Sequence, residues 1–237
     1  MTKTPRNKVV SRAEWMKARK ALLTKEKAHE RKRADLAAAR RKLPWEAVTK
    51  EYVFTGADGK ETLADLFDGR SQLVVYHFMF DPDWDAGCPH CSWWADNFDH
   101  PLVHLNRHDV SFAVVSRAPY EKLAAYRKRM GWSFKWVSSF GNDFNYDFNV
   151  AFTPEEVKAK RALYNFKVQD PFASEREGLS VFYKDAKGRV YRTYSAFARG
   201  IDPINIDYQF IDLTPKGRDE GKRGNQYWIQ RRDEYRG

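Results

Sequence analysis

"SQLVVYHFMFDPDWDAGCPHCSWWADNF", residues 71–98, holds the two features on which the fold turns. Residues 71–80 are a continuous apolar run, rich in β-branched and aromatic side chains and bounded by Gly69 and Pro82. A run of that length and content reads as a buried central strand. The second feature is the pair Cys88 and Cys91, the only cysteines of the 237-residue chain, with Pro89 and His90 between them. Pro89 suits the first position of a helix, where its missing N–H costs nothing. On spacing alone the pair reads as a redox dithiol, as part of a metal site, or as two small buried residues.

Working outward, "EYVFTGADGKETLADLF" (51–67) reads as a strand, a glycine turn and a short second element. After the cysteines a helix is expected from about Pro89 to Asn106, then the strand "SFAVVSRA" (111–118). Pro119 opens the next helix, which Gly131 closes, and "FKWVSSF" (134–140) is a short strand. Residues 141–177 read as an insertion, in which Phe144, Tyr146 and Phe148 alternate as in a strand or an extended flap. Residues 179–198 form a hairpin turning at Asp185–Gly188, and a helix follows near 203–213. This order predicts an α/β, thioredoxin-like fold: a central mixed sheet flanked by helices, with an insertion before the final hairpin. The domain is expected over residues 45–215, with a C-terminal tail at 216–237.

Residues 1–44 stand apart. "SRAEWMKARKALLTKEKAHERKRADLAAARRKL" (11–43) lacks Gly and Pro, and Ser11 with Glu14 has capping-box spacing, so a long helix is predicted over 11–42. Pro44 ends it. Trp15, Leu22, Leu36 and Leu43 form a stripe too narrow for a core, expected to lie along the body or along a second subunit. The net charge of +10 is concentrated here: residues 1–42 hold 15 Lys or Arg against 4 Asp or Glu, and the remainder 27 against 28. The helix lacks interleaved aromatics and its stripe is too thin to insert in a bilayer, so neither nucleic acid nor membrane is an expected partner. A homodimer through this helix is the open partner reading.

The segments "VFTGADGKETLADLFDGRSQLVVYHFMF", "GCPHCSWWADNF", "RMGWSFKWVSSFGNDFNYDF" and "LSVFYKDAKGRVYRTYSAFARG" resemble the bacterial thioredoxin-like family catalogued as domain of unknown function 899. The resemblance extends to "RRKLPW" and "IDLTPKGRDE" and covers nearly the whole chain. It implies a thioredoxin-like fold and leaves the activity open.

Chemically, Cys88 at a helix start meets unpaired backbone N–H groups that favour its thiolate. Cys91, one turn further in, can close a disulfide after Cys88 has attacked a substrate. "CPHC" is also similar to the active site of the periplasmic disulfide-forming oxidases, which implies that His90 stabilises the Cys88 thiolate. Asp81, Asp83 and Asp85 oppose that stabilisation if close, and read as solvated loop acids. Thioredoxins carry a cis-proline just before the strand facing the dithiol; Gly178, Leu179 and Ser180 hold no proline there. Peroxidases of this fold need a proline and a threonine or serine where this chain has Asp81 and Asp85, which speaks against their mechanism.

Around the catalytic trio of Cys88, Cys91 and His90, the substrate-binding candidates are Trp93, Arg117 and Tyr146. Arg117 would receive an anionic group and Tyr146 would line the cleft. No metal site or cofactor is expected, because there is no second cysteine pair and His100, His104 and His108 read as surface residues. His77 reads as a hydrogen-bonded core histidine. No apolar run approaches the roughly 20 residues of a membrane span and the N-terminus lacks the apolar stretch of a signal, so a cytoplasmic protein is expected. The function expected is thiol–disulfide oxidoreduction on a thiol or disulfide substrate. The alternative is a non-catalytic binding module whose dithiol senses oxidation or binds metal.

Overall fold

The computed structural model describes residues 7–222 and 224–236. The helices are α1 (Arg12–Arg40), α2 (Pro89–Ala95), α3 (Leu102–Arg107), α4 (Tyr120–Met130), α5 (Phe144–Asp147), α6 (Pro154–Ala159) and α7 (Ile206–Ile211). The strands are β1 (Glu46–Ala47), β2 (Val53–Gly56), β3 (Gly59–Thr62), β4 (Gln72–His77), β5 (Val110–Ser116), β6 (Trp136–Ser138), β7 (Ala162–Tyr164), β8 (Lys167–Gln169), β9 (Gly178–Lys184) and β10 (Val190–Phe197).

Eight strands make one mixed sheet in the order β1-β10-β9-β4-β5-β6-β2-β3. The apolar run becomes β4 at its centre, parallel to β5 and antiparallel to β9. The β10-β9-β4-β5 block, with α2 crossing from β4 to β5 and the β9–β10 hairpin closing it, is the thioredoxin arrangement. Side chains of β4 alternate between two cores. Tyr76 joins Phe78, Val114, Trp136 and the dithiol helix on one face, and Leu73 and Val75 join Val115, Val137 and Phe182 on the other. His77 points to that second face. It is buried, bonded to the Ser180 hydroxyl at 2.9 Å and stacked on Phe148, so the core-histidine reading holds. Burial drives its pKa down to about 3, so it stays neutral.

Three expectations are corrected. The helix of 89–106 is two helices, since Pro101 cannot continue the first and heads the second. Phe144, Tyr146 and Phe148 do not form a strand: they belong to the turn of α5, which puts Phe144 and Phe148 on one buried face. α1 starts with the predicted capping box, the Glu14 N–H donating to the Ser11 hydroxyl at 3.3 Å and the Ser11 N–H to the Glu14 carboxylate at 3.0 Å. Yet no residue of α1 is buried, so it does not lie along the body; Arg40 reaches the Tyr194 ring at 5.3 Å from its last turn. Finally, the stretch read as a C-terminal tail at 216–237 packs on the body through Trp228 and Ile229. Ile229 is buried and the Trp228 ring packs 5.1 Å from Trp93, so the C-terminal segment returns to the body.

Candidate active site

The site is built where β4 ends and α2 begins. The Cys88 N–H donates to the Met79 carbonyl at 3.0 Å, which hangs the helix start from the strand end. Cys88 is the N-cap, Pro89 follows it, and Ser92 ties the turn back, its N–H and its hydroxyl both donating to the Cys88 carbonyl at 2.9 and 2.8 Å. Gly87 must be glycine: a Cβ there would stand 2.7 Å from the buried Phe78 ring and 3.0 Å from that of Tyr126.

Cys88 is 8% exposed and Cys91 1%. The two thiols are free and neighbours within one helical turn. The neighbouring Cys91 thiol holds the Cys88 thiol well below its ordinary value, against the cost of burial, and His90 reinforces it. His90 Nδ1 lies 4.0 Å from the Cys88 sulfur. The contact raises the His90 pKa in turn, the direction a thiolate neighbour imposes. The Cys91 N–H faces the same sulfur from the first turn without closing a cap hydrogen bond. Cys91 goes the other way. Burial pushes its thiol well up, and proximity to the Cys88 charge adds to it. The two thiols are thus shifted in opposite directions, the less buried Cys88 down and the more buried Cys91 up.

Three residues that sequence reasoning missed complete the centre. The Met79 N–H approaches the Cys91 sulfur at 3.5 Å, and the buried Tyr76 borders the same cleft. Glu177, immediately before β9, faces both cysteines; burial first, and the Cys88 charge in addition, raise its pKa. Its only sequence signal is its place ahead of the hairpin strand that faces the dithiol, where thioredoxins carry proline. Together these groups border a cleft of about 330 Å³, whose walls include Trp94, Arg176 and Gln226.

The other sequence candidates do not meet there. Trp94, not Trp93, borders the cleft. Trp93 turns to α7, where its indole N–H donates to Asp207 and its ring packs 4.7 Å from Tyr208. Arg117 and Tyr146 do meet each other, but in a buried ion network. The Arg117 guanidinium contacts Tyr146, pairs with Asp81 and donates to Glu175 at 2.8 Å. Its donors are committed to these partners, so the substrate-anion expectation for Arg117 and the cleft-lining expectation for Tyr146 are not met. Asp81 is likewise no solvated loop acid. Among the described residues no three His, Cys, Asp or Glu side chains cluster as a metal site requires. No helix there is long and apolar enough to cross a membrane.

The family described as "Bacterial protein of unknown function (DUF899)" matches residues 4–235, and the chain belongs to it. Among curated proteins none matches. Similar solved structures include peroxidoxin BcpB of Mycobacterium tuberculosis, at 14% identity over 70% of this chain and 96% of that one, with a TM-score of 0.46. A PrxQ mutant of Xylella fastidiosa matches at 13% identity over 70% and 94%, with a TM-score of 0.45. Peroxiredoxin Q of Xanthomonas campestris matches at 16% over 70% and 98%, with a TM-score of 0.42.

Proposed function

We propose that this member of the DUF899 family is a thiol–disulfide oxidoreductase in which Cys88 attacks, Cys91 resolves and His90 stabilises the Cys88 thiolate. One observation carries the reading: two free cysteines sit one turn apart at a helix start with His90 Nδ1 4.0 Å from the Cys88 sulfur, an arrangement that favours the Cys88 thiolate while burial disfavours that of Cys91. A structural pair has no need of that split, whereas exchange chemistry needs it at each step.

The Cys88 thiolate attacks one sulfur of a substrate disulfide, R–S–S–R′. A Cys88–S–S–R bond forms, the substrate S–S bond breaks, and R′–S⁻ leaves to take a proton from water in the cleft. Cys91 then loses its proton and attacks the Cys88 sulfur, releasing R–S⁻ and closing Cys88–Cys91. Two electrons have passed from the dithiol to the substrate, and a thiol reductant running the same steps backwards restores the pair. The Met79 N–H supplies a hydrogen bond for the transient Cys91 thiolate. Glu177, which lines the same cleft, is the acceptor for the Cys91 proton.

The steps predict opposite fates for two variants. Cys91→Ser should trap a mixed disulfide with the substrate thiol on Cys88, seen as an added mass on the peptide holding that residue. Cys88→Ser should trap none under the same oxidised glutathione. Equal labelling of both variants, or of neither, overturns the assignment of roles.

A further inference from the structure

We infer that the C-terminal segment Asn225–Glu234 is a positioning element of the dithiol site and not a tail. The inference rests on the redox reading of Cys88 and extends it to residues more than a hundred positions away.

Three contacts place the segment in the site. Asn225 and Gln226 form one wall of the cleft that holds Cys88 and His90. The Gln226 backbone borders the His90 imidazole closely enough to favour its charged form, and the ring's Nδ1 faces the Cys88 sulfur at 4.0 Å. A main-chain carbonyl beside an imidazole favours the protonated ring and so the charge that faces the sulfur. Gln226 makes this contact from a left-handed backbone, φ 58°, that non-glycine residues rarely adopt. Its side chain lies beside the buried Tyr208 hydroxyl, which donates to Glu220 at 2.8 Å.

Arg231 is the second hold. Its Nε and a terminal nitrogen donate to the Gly87 carbonyl at 3.1 and 2.8 Å, one peptide before Cys88. The same Nε lies 2.9 Å from the Tyr126 hydroxyl. Tyr126 shares a hydrogen bond with Ser92 at 2.8 Å, and Ser92 donates to the Cys88 carbonyl at 2.8 Å. An unbroken hydrogen-bond chain therefore runs from the segment to the backbone of the attacking cysteine. The segment is moored at its far end by Arg129, which donates to Asp233 at 2.7 Å and Glu234 at 3.1 Å. Without it, the imidazole loses one wall of its cleft and the start of α2 loses its clamp.

The test is the pH profile of thiolate absorbance in three forms of the reduced protein: wild type, full-length Arg231→Met, and a chain ended at residue 223. Arg231→Met keeps the apolar stem and removes the donors. Both variants should move the Cys88 inflection upwards, by about half a unit or more, equivalent to at least about threefold less thiolate at a pH below it. Cys88 in the shortened chain should also react faster with a bulky maleimide above the inflection, because one wall of the cleft is gone. Native circular dichroism qualifies each form; should the shortened chain not fold, Arg231→Met carries the test alone. A folded variant whose melting midpoint drops while the inflection stays put overturns the inference, since a merely structural segment behaves that way. Absence of a low-pH inflection in the wild type instead defeats the redox reading on which the inference rests.

Discussion

Replacing His90 with Gln removes a charge from the Cys88 sulfur while leaving the Cys-x-x-Cys spacing intact. At the 4.0 Å separation between Nδ1 and sulfur, two unit charges attract by about 1 kcal/mol in water and about 4 kcal/mol at an effective dielectric of 20. His90 is exposed and Cys88 buried, so screening from the solvent side pulls the figure towards the lower limit, about 1–2 kcal/mol. That is about one pKa unit on Cys88. The thiolate stabilises the reduced form, so its loss should also lower the reduction potential by about 30 mV and make the protein a weaker oxidant. The sign follows from the two shifts. Cys88 is depressed by folding, so its contribution to the stability of the reduced protein is present above the unfolded thiol value and lost as pH falls through the folded one. His90 is raised, so its contribution is present at low pH and lost as pH rises through its folded value. The pair therefore exists only between the two folded values, and the effect of His90→Gln should vanish outside that window. Thiolate absorbance against pH and a glutathione titration read the two quantities independently. A variant that moves neither, or moves the potential at a pH where Cys88 is protonated, refutes the electrostatic account.

Other outcomes follow from the packing. Gly87→Ala pushes a methyl into the Phe78 and Tyr126 rings and should cost about 1–3 kcal/mol, read as a lower denaturant midpoint at unchanged slope. Glu175 is 1% exposed, and burial raises its pKa from 4.5 to about 7 despite Arg117. Its contribution to stability is present below the unfolded value and lost as pH rises through about 7, and Glu175→Gln should remove that part of the pH slope. Deleting residues 1–42 removes no buried side chain of α1, so the melting midpoint should stay within roughly 2 °C and the dithiol transition should persist. A large fall would mean that the helix is a core element.

The parts of this molecule that are legible in its sequence are those set by local rules. The apolar run of β4, Pro89 after Cys88, and Gly131 in the left-handed conformation at the end of α4 each carry their own geometry. Ser11 and Glu14 do the same for α1. Phe144 and Phe148 show where local pattern misleads. A spacing of two suggests a strand, but the outer pair of the three is also i,i+4, and packing of those two rings 4.5 Å apart selects the helix turn. What the sequence hides is long-range. Nothing near Arg231 announces Gly87, and Glu177 acquires meaning only once β9 registers against β4, pairing Gly178 with His77. Arg117 is the converse, a residue that suits an anion site by type but is already neutralised by Asp81 and Glu175.

The central claim is that Cys88 and Cys91 form a reversible redox couple, and equilibration of the purified protein across a series of glutathione buffers tests it most directly. Free thiols are counted at each point and the tryptic peptide bearing both residues is weighed. The account predicts one two-thiol transition, with a potential between about −270 and −120 mV, and the loss of two hydrogens within that single peptide. Thiols that stay reduced throughout, or that oxidise only into disulfides between chains, would contradict it.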